Sequence, residues 1–282
     1  MNKRRSFLFV PSIRKDFLEK IKNYNCDAVI LDLEDSVMPS HKAEARKNLS
    51  ELNFNNLGNK EIVVRINSVD SPFIKEDLEF VSDKKPHAIM VPKVEDVEQI
   101  RFLEKNTKDL EFIPIIETLR GYFNAENVLS SSDRIKAFAF GAEDFRTEAG
   151  IEKGVLKENP VLMGVMSRLL LISKMNSLWF IDCVYTGFGN DEHLKKLKEE
   201  AEFTKSIGAD GKLLIHPSQI EIVNEVYSLS KGDIKKSVDF LSDFEKIKHG
   251  SSVIAYNNVM EDTPSYKLHK KFIEKAKRLG YI

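Results

Sequence analysis

Short apolar runs recur along the chain, and an amphipathic or charged stretch follows each of them. The runs cover residues 6–11, 28–35, 61–67, 88–93, 113–117, 138–144, 178–185 and 211–217. They are apolar on both faces and short for helices, so the pattern predicts buried parallel strands. The stretches between them predict helices over residues 16–22, 41–49, 74–81, 94–104, 122–129, 161–175, 192–206 and 220–227. In the first of these, Phe17, Leu18 and Ile21 form a buried stripe at helical spacing. Strand-then-helix units in unbroken succession predict an α/β fold, a (β/α)8 TIM barrel over residues 1–230. An open doubly wound sheet is the alternative. Against it, no G-x-G-x-x-G follows the first strand, where a dinucleotide fold needs one.

Residues 231–282 are surplus to such a barrel. They predict a helix over 234–248, a polar and partly extended linker over 249–262, and a last helix over 264–279. This C-terminal helical arm either packs back on its own barrel or reaches a neighbouring subunit.

The predicted strands end in polar residues: Asp32, Glu34, Asp35, Arg65, Asn67, Lys93, Glu117, Asp144, Asp182 and His216. Barrel enzymes build their sites at that rim. Glu117 closes Ile113-Pro114-Ile115-Ile116-Glu117, and Asp144 closes the run that begins at Phe138. Two carboxylates on successive strands suit Mg²⁺, which takes few carboxylates and keeps positions open for substrate oxygens. Arg65 has the planar fork to grip a substrate carboxylate. Its bland alternative is an ion pair with Glu34 or Asp35. Lys93 is placed to add positive charge near an enolate; a Schiff base there would need desolvation. His216 before Pro217 reads as a packed histidine more readily than a base. The polar, Gly-containing residues 145–159 read as a long active-site loop.

Bulk charge narrows the partners. The chain has 43 Lys+Arg against 44 Asp+Glu, a net charge of -1, which gives no electrostatic case for nucleic acid or an anionic membrane. Cys26 and Cys183 lie beside apolar runs, outside any C-x-x-C, and read as small buried residues. The apolar stretch after Arg5 is broken at Pro11, too short for a signal peptide or membrane span, so a cytoplasmic location is expected.

A family resemblance rests on particular segments. Phe9-Val10-Pro11, Leu31-Asp32-Leu33-Glu34-Asp35, Val64-Arg65-Ile66-Asn67, Val91-Pro92-Lys93, Ile116-Glu117, Gly141-Ala142-Glu143-Asp144 and Gly211-Lys212-Leu213-Leu214-Ile215-His216-Pro217 occur in order, with a late Met260-Glu261-Asp262. In these the chain resembles the HpcH/HpaI aldolase superfamily, and within it the citrate lyase β-subunit and malyl-CoA lyase branch. Ser12 stands where that family has Gly after Phe-Val-Pro, and residues 145–150 lack its usual Thr-Arg-Ser/Thr stretch.

The resemblance implies a Mg²⁺-dependent carbon–carbon lyase. It would cleave or form a 3-hydroxyacyl thioester, such as citryl-, malyl- or citramalyl-CoA, giving an acyl thioester and an oxo-acid. The carrier would be CoA or an acyl-carrier protein. Glu117 and Asp144 would hold Mg²⁺, Arg65 the substrate carboxylate, and Asp32, Glu34 and Lys93 would border the substrate. Asp262 would come from a neighbouring subunit's arm as acid/base. Arg14, Lys42 and Arg46 are candidates for the CoA phosphates. A homotrimer or hexamer is implied, with further subunits of a lyase complex as possible partners. Two other readings are a CoA-independent Mg²⁺ aldolase of a hydroxy-oxo-acid and a binding subunit without turnover.

Overall fold

Eight of the apolar runs form strands that pair in parallel in chain order: β1 (Ser6–Pro11), β2 (Ala28–Asp32), β3 (Glu61–Arg65), β4 (Ala88–Val91), β5 (Glu111–Ile116), β6 (Ala137–Phe140), β7 (Trp179–Asp182) and β8 (Gly211–Leu214). β8 returns to β1 in the register Ser6↔Lys212 to Leu8↔Leu214, which closes the barrel and excludes the open sheet. The computed structural model describes residues 3–152, 154, 158–247, 253–256 and 259–282.

Every residue of β2, β4, β6, β7 and β8 is buried, as expected of strands covered on both faces. The pleat still divides them. Leu8, Val10, Leu31, Val64 and Leu214 join the core between sheet and helices. Their neighbours Phe9, Asp32, Arg65 and Leu213 line a cavity inside the barrel. The period of two thus carries the polar strand ends to the interior.

The covering helices are α1 (Lys15–Leu18), α2 (Lys42–Glu51), α3 (Ile74–Lys84), α4 (Val97–Asn106), α5 (Leu119–Leu129), α6 (Ala142–Ala149), α7 (Pro160–Met175), α8 (Asp191–Ile207) and α9 (Ile220–Tyr227). Side chains start several of them. Asp96 and Gln99 form a capping box at α4, the Thr118 hydroxyl accepts the Gly121 N–H at α5, and Asn190 accepts the His193 N–H at α8.

Two expectations need correction. Residues 145–159 are not one long loop: α6 runs to Ala149 and ends at Gly150 in the left-handed region. Residues 153 and 155–157 of that stretch lie outside the described residues. β6 also stops at Phe140, so Asp144 sits on the first turn of α6 and not on a strand end.

A second compact unit takes in Lys3 and residues 228–282. It holds α10 (Lys231–Ile247), β9 (Val253–Tyr256), β10 (Val259–Asp262) and α11 (Thr263–Arg278). The expected linker over 249–262 contains an antiparallel pair, Val253↔Asp262 to Tyr256↔Val259; residues 249–252 and 257–258 lie outside the described residues. Phe240, Phe244 and Ile254 form one small core here, and Ile234, Ile273 and Ala276 another.

Candidate active site

The cavity at the C-terminal ends of the strands has a volume of about 440 Å³. Its charged lining is Asp32, Asp35, Arg65, Glu117, Glu143 and Asp144. Of the polar residues expected at the ends of β2, β3 and β5, Asp32, Asp35, Arg65 and Glu117 line it.

Arg65 and Asp32 are register partners on β3 and β2. Arg65 Nε donates to Asp32 Oδ1 at 2.7 Å and Nη2 to Oδ2 at 2.6 Å. Nη1 lies 3.2 Å from Glu34 and 3.8 Å from Asp35. The sequence alternatives, substrate grip or ion pair with Glu34 or Asp35, omitted its main partner. Burial opposes the Arg65 charge, but Asp32 and the other acids raise its pKa above the usual value, so it stays a cation. Burial also works against the Asp32 charge, yet Arg65 and hydrogen bonds from the Ser36 and Glu34 amides hold that carboxyl below the usual range.

Lys93 has φ 51°, in the left-handed region. Its backbone N–H donates to Glu117 Oε1 at 2.8 Å, and its Nζ lies 2.8 Å from Glu34 Oε1. Burial lowers the Lys93 pKa, but Glu34 outweighs it and the net shift is upward. A lysine held as ammonium is a poor Schiff-base nucleophile, so the electrostatic role is the one the geometry favours. Burial raises Glu34 above its ordinary value against the pull of Arg65 and Lys93, and Asp35 adds to the rise.

Glu117 is 5% exposed. Burial pushes its pKa up to about 8, against the Lys93 amide, with the charges of Asp144 and Glu34 adding to the rise. Gly141, the N-cap of α6, is why this carboxylate fits. A Cβ at Gly141 would stand 2.5 Å from both Cβ and Oε2 of Glu117. Gly-Ala-Glu-Asp therefore reads as a glycine that admits Glu117, then a first turn that brings Glu143 and Asp144 to the same wall. Glu143 lies inside the Gly-Ala-Glu-Asp motif, but nothing in the sequence alone marks it as a wall residue.

The donor set fits Mg²⁺. Two carboxylates share one wall, all donors are oxygen, and Asp144 raises the pKa of Glu117. Glu117 Oε2 and both Asp144 oxygens accept no hydrogen bond from the described residues, whose remaining bonds leave Lys93 N–H on Oε1 alone. A hard dication between them would offset the burial and the Asp144 charge that together raise the Glu117 pKa.

Other candidates fall elsewhere. Asp182 does not face the cavity: Lys212 Nζ lies 2.5 Å from Asp182 and 2.8 Å from Glu200, buried between barrel and helices. Asp182, Cys183 and Glu200 come close enough to suggest a metal cluster, but the Lys212 ammonium already supplies its cation. Asn67 is bonded to Asp77 under α3. His216 caps Ser218 N–H and stacks on Phe188, the packed role expected of it. Lys42 donates to the carbonyls of Leu33 and Glu34 at 2.7 Å each, and Arg46 pairs with buried Asp77 at 2.8 Å. Lys42 thus holds the β2–α2 connection, and Arg46 ties α2 to α3. Arg14 is exposed, paired with Asp16 and stacked over Phe17. Asp262, in the second unit, caps α11 by accepting the Ser265 N–H.

Comparison with known proteins places these residues in a family context. The family model described as HpcH/HpaI aldolase/citrate lyase matches residues 5–217. The chain is 29% identical to (3S)-malyl-CoA thioesterase of Cereibacter sphaeroides over 98% of this chain and 95% of that one. It is 31% identical to human mitochondrial citramalyl-CoA lyase over 94% of this chain and 83% of that one. Among solved structures it resembles the protein CitE of Mycobacterium tuberculosis in complex with magnesium, acetoacetate and coenzyme A. The TM-score is 0.81 at 26% identity, covering 99% of this chain and 98% of that one.

Proposed function

The chain belongs to the HpcH/HpaI aldolase/citrate lyase family, and from that premise we propose that it is a Mg²⁺-dependent carbon–carbon lyase acting on a 3-hydroxyacyl-CoA-type thioester. The observation that carries this reading is the juxtaposition at one cavity of buried Glu117, Asp144 and an Arg65 held charged by Asp32. The magnesium complex of the similar CitE protein supports it.

Glu117 and Asp144 would hold Mg²⁺. When bound, the ion supplies Lewis acidity to the substrate's hydroxyl and carbonyl oxygens. Arg65 receives the substrate carboxylate with N–H groups left over from its bonds to Asp32. Lys93 places an ammonium at the cavity edge, where negative charge develops. Cleavage moves the C–C electron pair to the thioester α-carbon, while the hydroxyl oxygen gives its proton to water and becomes the keto oxygen of the oxo-acid. Asp262, on the arm of a neighbouring copy, returns a proton to the α-carbon; in condensation it removes one. This role implies a homo-oligomer, with a trimer or hexamer as the proposed form. Arg14 remains the candidate for CoA phosphates, since Lys42 and Arg46 are engaged in the fold. No helix of the described residues is long and apolar enough to cross a membrane, which is compatible with a cytoplasmic location.

The test is a mass-spectrometric assay with malyl-, citramalyl- and citryl-CoA, with Mg²⁺ and with a chelator, beside Glu117→Ala. Metal-dependent release of an oxo-acid and an acyl-CoA, absent in the variant, is the expected result. Because malyl-CoA thioesterases are among the similar proteins, the assay also reads free CoA. Release of CoA and the intact hydroxy-acid would replace the lyase reading with thioester hydrolysis.

A further inference from the structure

Glu117 and Asp144 stand on different segments, one just past the end of β5 and the other on the first turn of α6. An ion held by both depends on what fixes these segments against each other. Two hydrogen bonds cross between them, one on each side of the carboxylates. Upstream, the Gly141 N–H donates to the Ile116 carbonyl at 3.1 Å, next to the β5–β6 pairing. Downstream, the Leu119 N–H donates to Glu148 Oε2 at 2.8 Å. Ile116 and Leu119 bracket Glu117 in the chain, and Gly141 and Glu148 bracket Asp144. The first bond is main-chain at both ends; the second exists only through the Glu148 side chain.

That second bond follows from local chemistry. Leu119 is the first residue of α5, so its N–H has no acceptor inside the helix. The Thr118 hydroxyl is taken by the Gly121 N–H. A carboxylate at a helix N-terminus is also favoured by the dipole. Glu148 follows Asp144 by four residues in α6, so the two project from one face, one turn apart. Anchoring Glu148 to the start of α5 therefore sets the rotation of the face that carries Asp144. Glu148 itself does not line the cavity.

Resting on the Mg²⁺ site of the lyase reading, we propose that Glu148 is a positioning residue that sets the spacing of Glu117 and Asp144, and with it the choice of ion. Mg²⁺ demands near-ideal octahedral geometry at about 2.0–2.1 Å, whereas Ca²⁺ accepts irregular shells at about 2.3–2.6 Å. A tethered pair of carboxylates favours the smaller ion. Release of the tether costs Mg²⁺ more than Ca²⁺.

Calorimetric titration of the full chain with Mg²⁺ and with Ca²⁺, at one pH and without thioester, reads this directly. Glu148→Ala should weaken Mg²⁺ binding by about tenfold, the low end of what an outer partner is worth to a metal site. Ca²⁺ should lose less, so the Mg²⁺-to-Ca²⁺ affinity ratio falls. Loss of the Glu148 charge alone acts on both dications alike and leaves the ratio in place. Glu148→Gln keeps an acceptor oxygen and should keep the wild-type ratio. Leu119→Pro removes the donor instead. Proline suits a first helical position, and Thr118 already has the extended backbone that precedes one, φ -116° and ψ 156°. This variant should reproduce the lower ratio, and the Leu119→Pro/Glu148→Ala double variant should go no lower than either. An unchanged ratio in Glu148→Ala would overturn the proposal while the metal site stands. So would losses that add in the double variant, or a Glu148→Gln ratio as low as that of alanine. Wild-type protein that binds neither ion, or binding that survives in Glu117→Ala, would remove the metal site and this inference with it.

Discussion

Arg65 meets Asp32 through two parallel hydrogen bonds, 2.7 Å and 2.6 Å, from adjacent positions of neighbouring strands. The pair fixes the guanidinium plane before any substrate arrives, which lowers the entropic cost of binding a carboxylate. Asp32→Ala leaves Arg65 buried with only Glu34 and the half-exposed Asp35 for compensation. Removing one partner of a buried pair costs about 3–5 kcal/mol; a drop in Tm and a raised KM are expected. A linkage also follows. The folded Asp32 pKa is depressed, so its contribution is present above the unfolded value and is lost as pH falls through the folded one. Acid unfolding of Asp32→Asn should lack that component; curves that superimpose on wild type after a constant offset would contradict it.

Glu117 titrates the other way. With a folded pKa of about 8, it is protonated at neutral pH without metal. The stability it contributes is therefore full below its unfolded pKa and is lost as pH rises through about 8. Mg²⁺ binding at neutral pH should release a proton, and the apparent affinity should climb up to about tenfold per pH unit until Glu117 is ionised. Calorimetry in two buffers of different ionisation enthalpy measures this; zero proton release would remove Glu117 from the metal site.

Lys93 separates backbone from side chain. Its left-handed φ aims the amide at Glu117. Lys93→Gly keeps that N–H and relieves strain worth roughly 1–2 kcal/mol, while losing the half-exposed ion pair to Glu34. Mg²⁺ affinity should survive in it and be lost in Lys93→Pro, which has no N–H. Equal affinities in the two variants would show that the amide does not matter.

Asp262 tests the arm. Glu117→Ala and Asp262→Asn should each be nearly inactive alone. Mixed after dissociation and reassembly, they should regain activity, because some sites then combine an intact Glu117 with a partner's intact Asp262. If the mixture stays as inactive as its components, Asp262 does not act across subunits. A fully active Asp262→Asn would remove its acid/base role.

Lys212 is the control for structural charge. It is fully buried between Asp182 and Glu200. Lys212→Met leaves two carboxylates facing one another and should cost about 3–5 kcal/mol. Mg²⁺ affinity of the protein that remains folded should be unaltered, as read by calorimetry below its Tm.

Much of this was legible in the chain. Doubly covered strands are apolar throughout, so the runs 28–32 and 113–116 announced parallel strands, and their regular alternation with helices announced a barrel. Glu117 and Arg65 were found because a barrel strand must end at the rim. Facing was not legible. In a strand buried on both sides, hydrophobicity carries no alternation, so Asp182 and Asp32 looked alike. Register with Lys212 sent Asp182 outward to the helices, while register with Arg65 turned Asp32 inward. Nor did Lys42, Arg46 and Arg14 differ in one dimension; only folding brought Leu33 O, Glu34 O and Asp77 within reach of the first two. Composition and period determined the barrel and its acidic rim, because they depend on neighbours along the chain. Which charges are paired, which carboxyl is held protonated and what lines the cavity depend on neighbours across it, and those the tertiary structure alone decided.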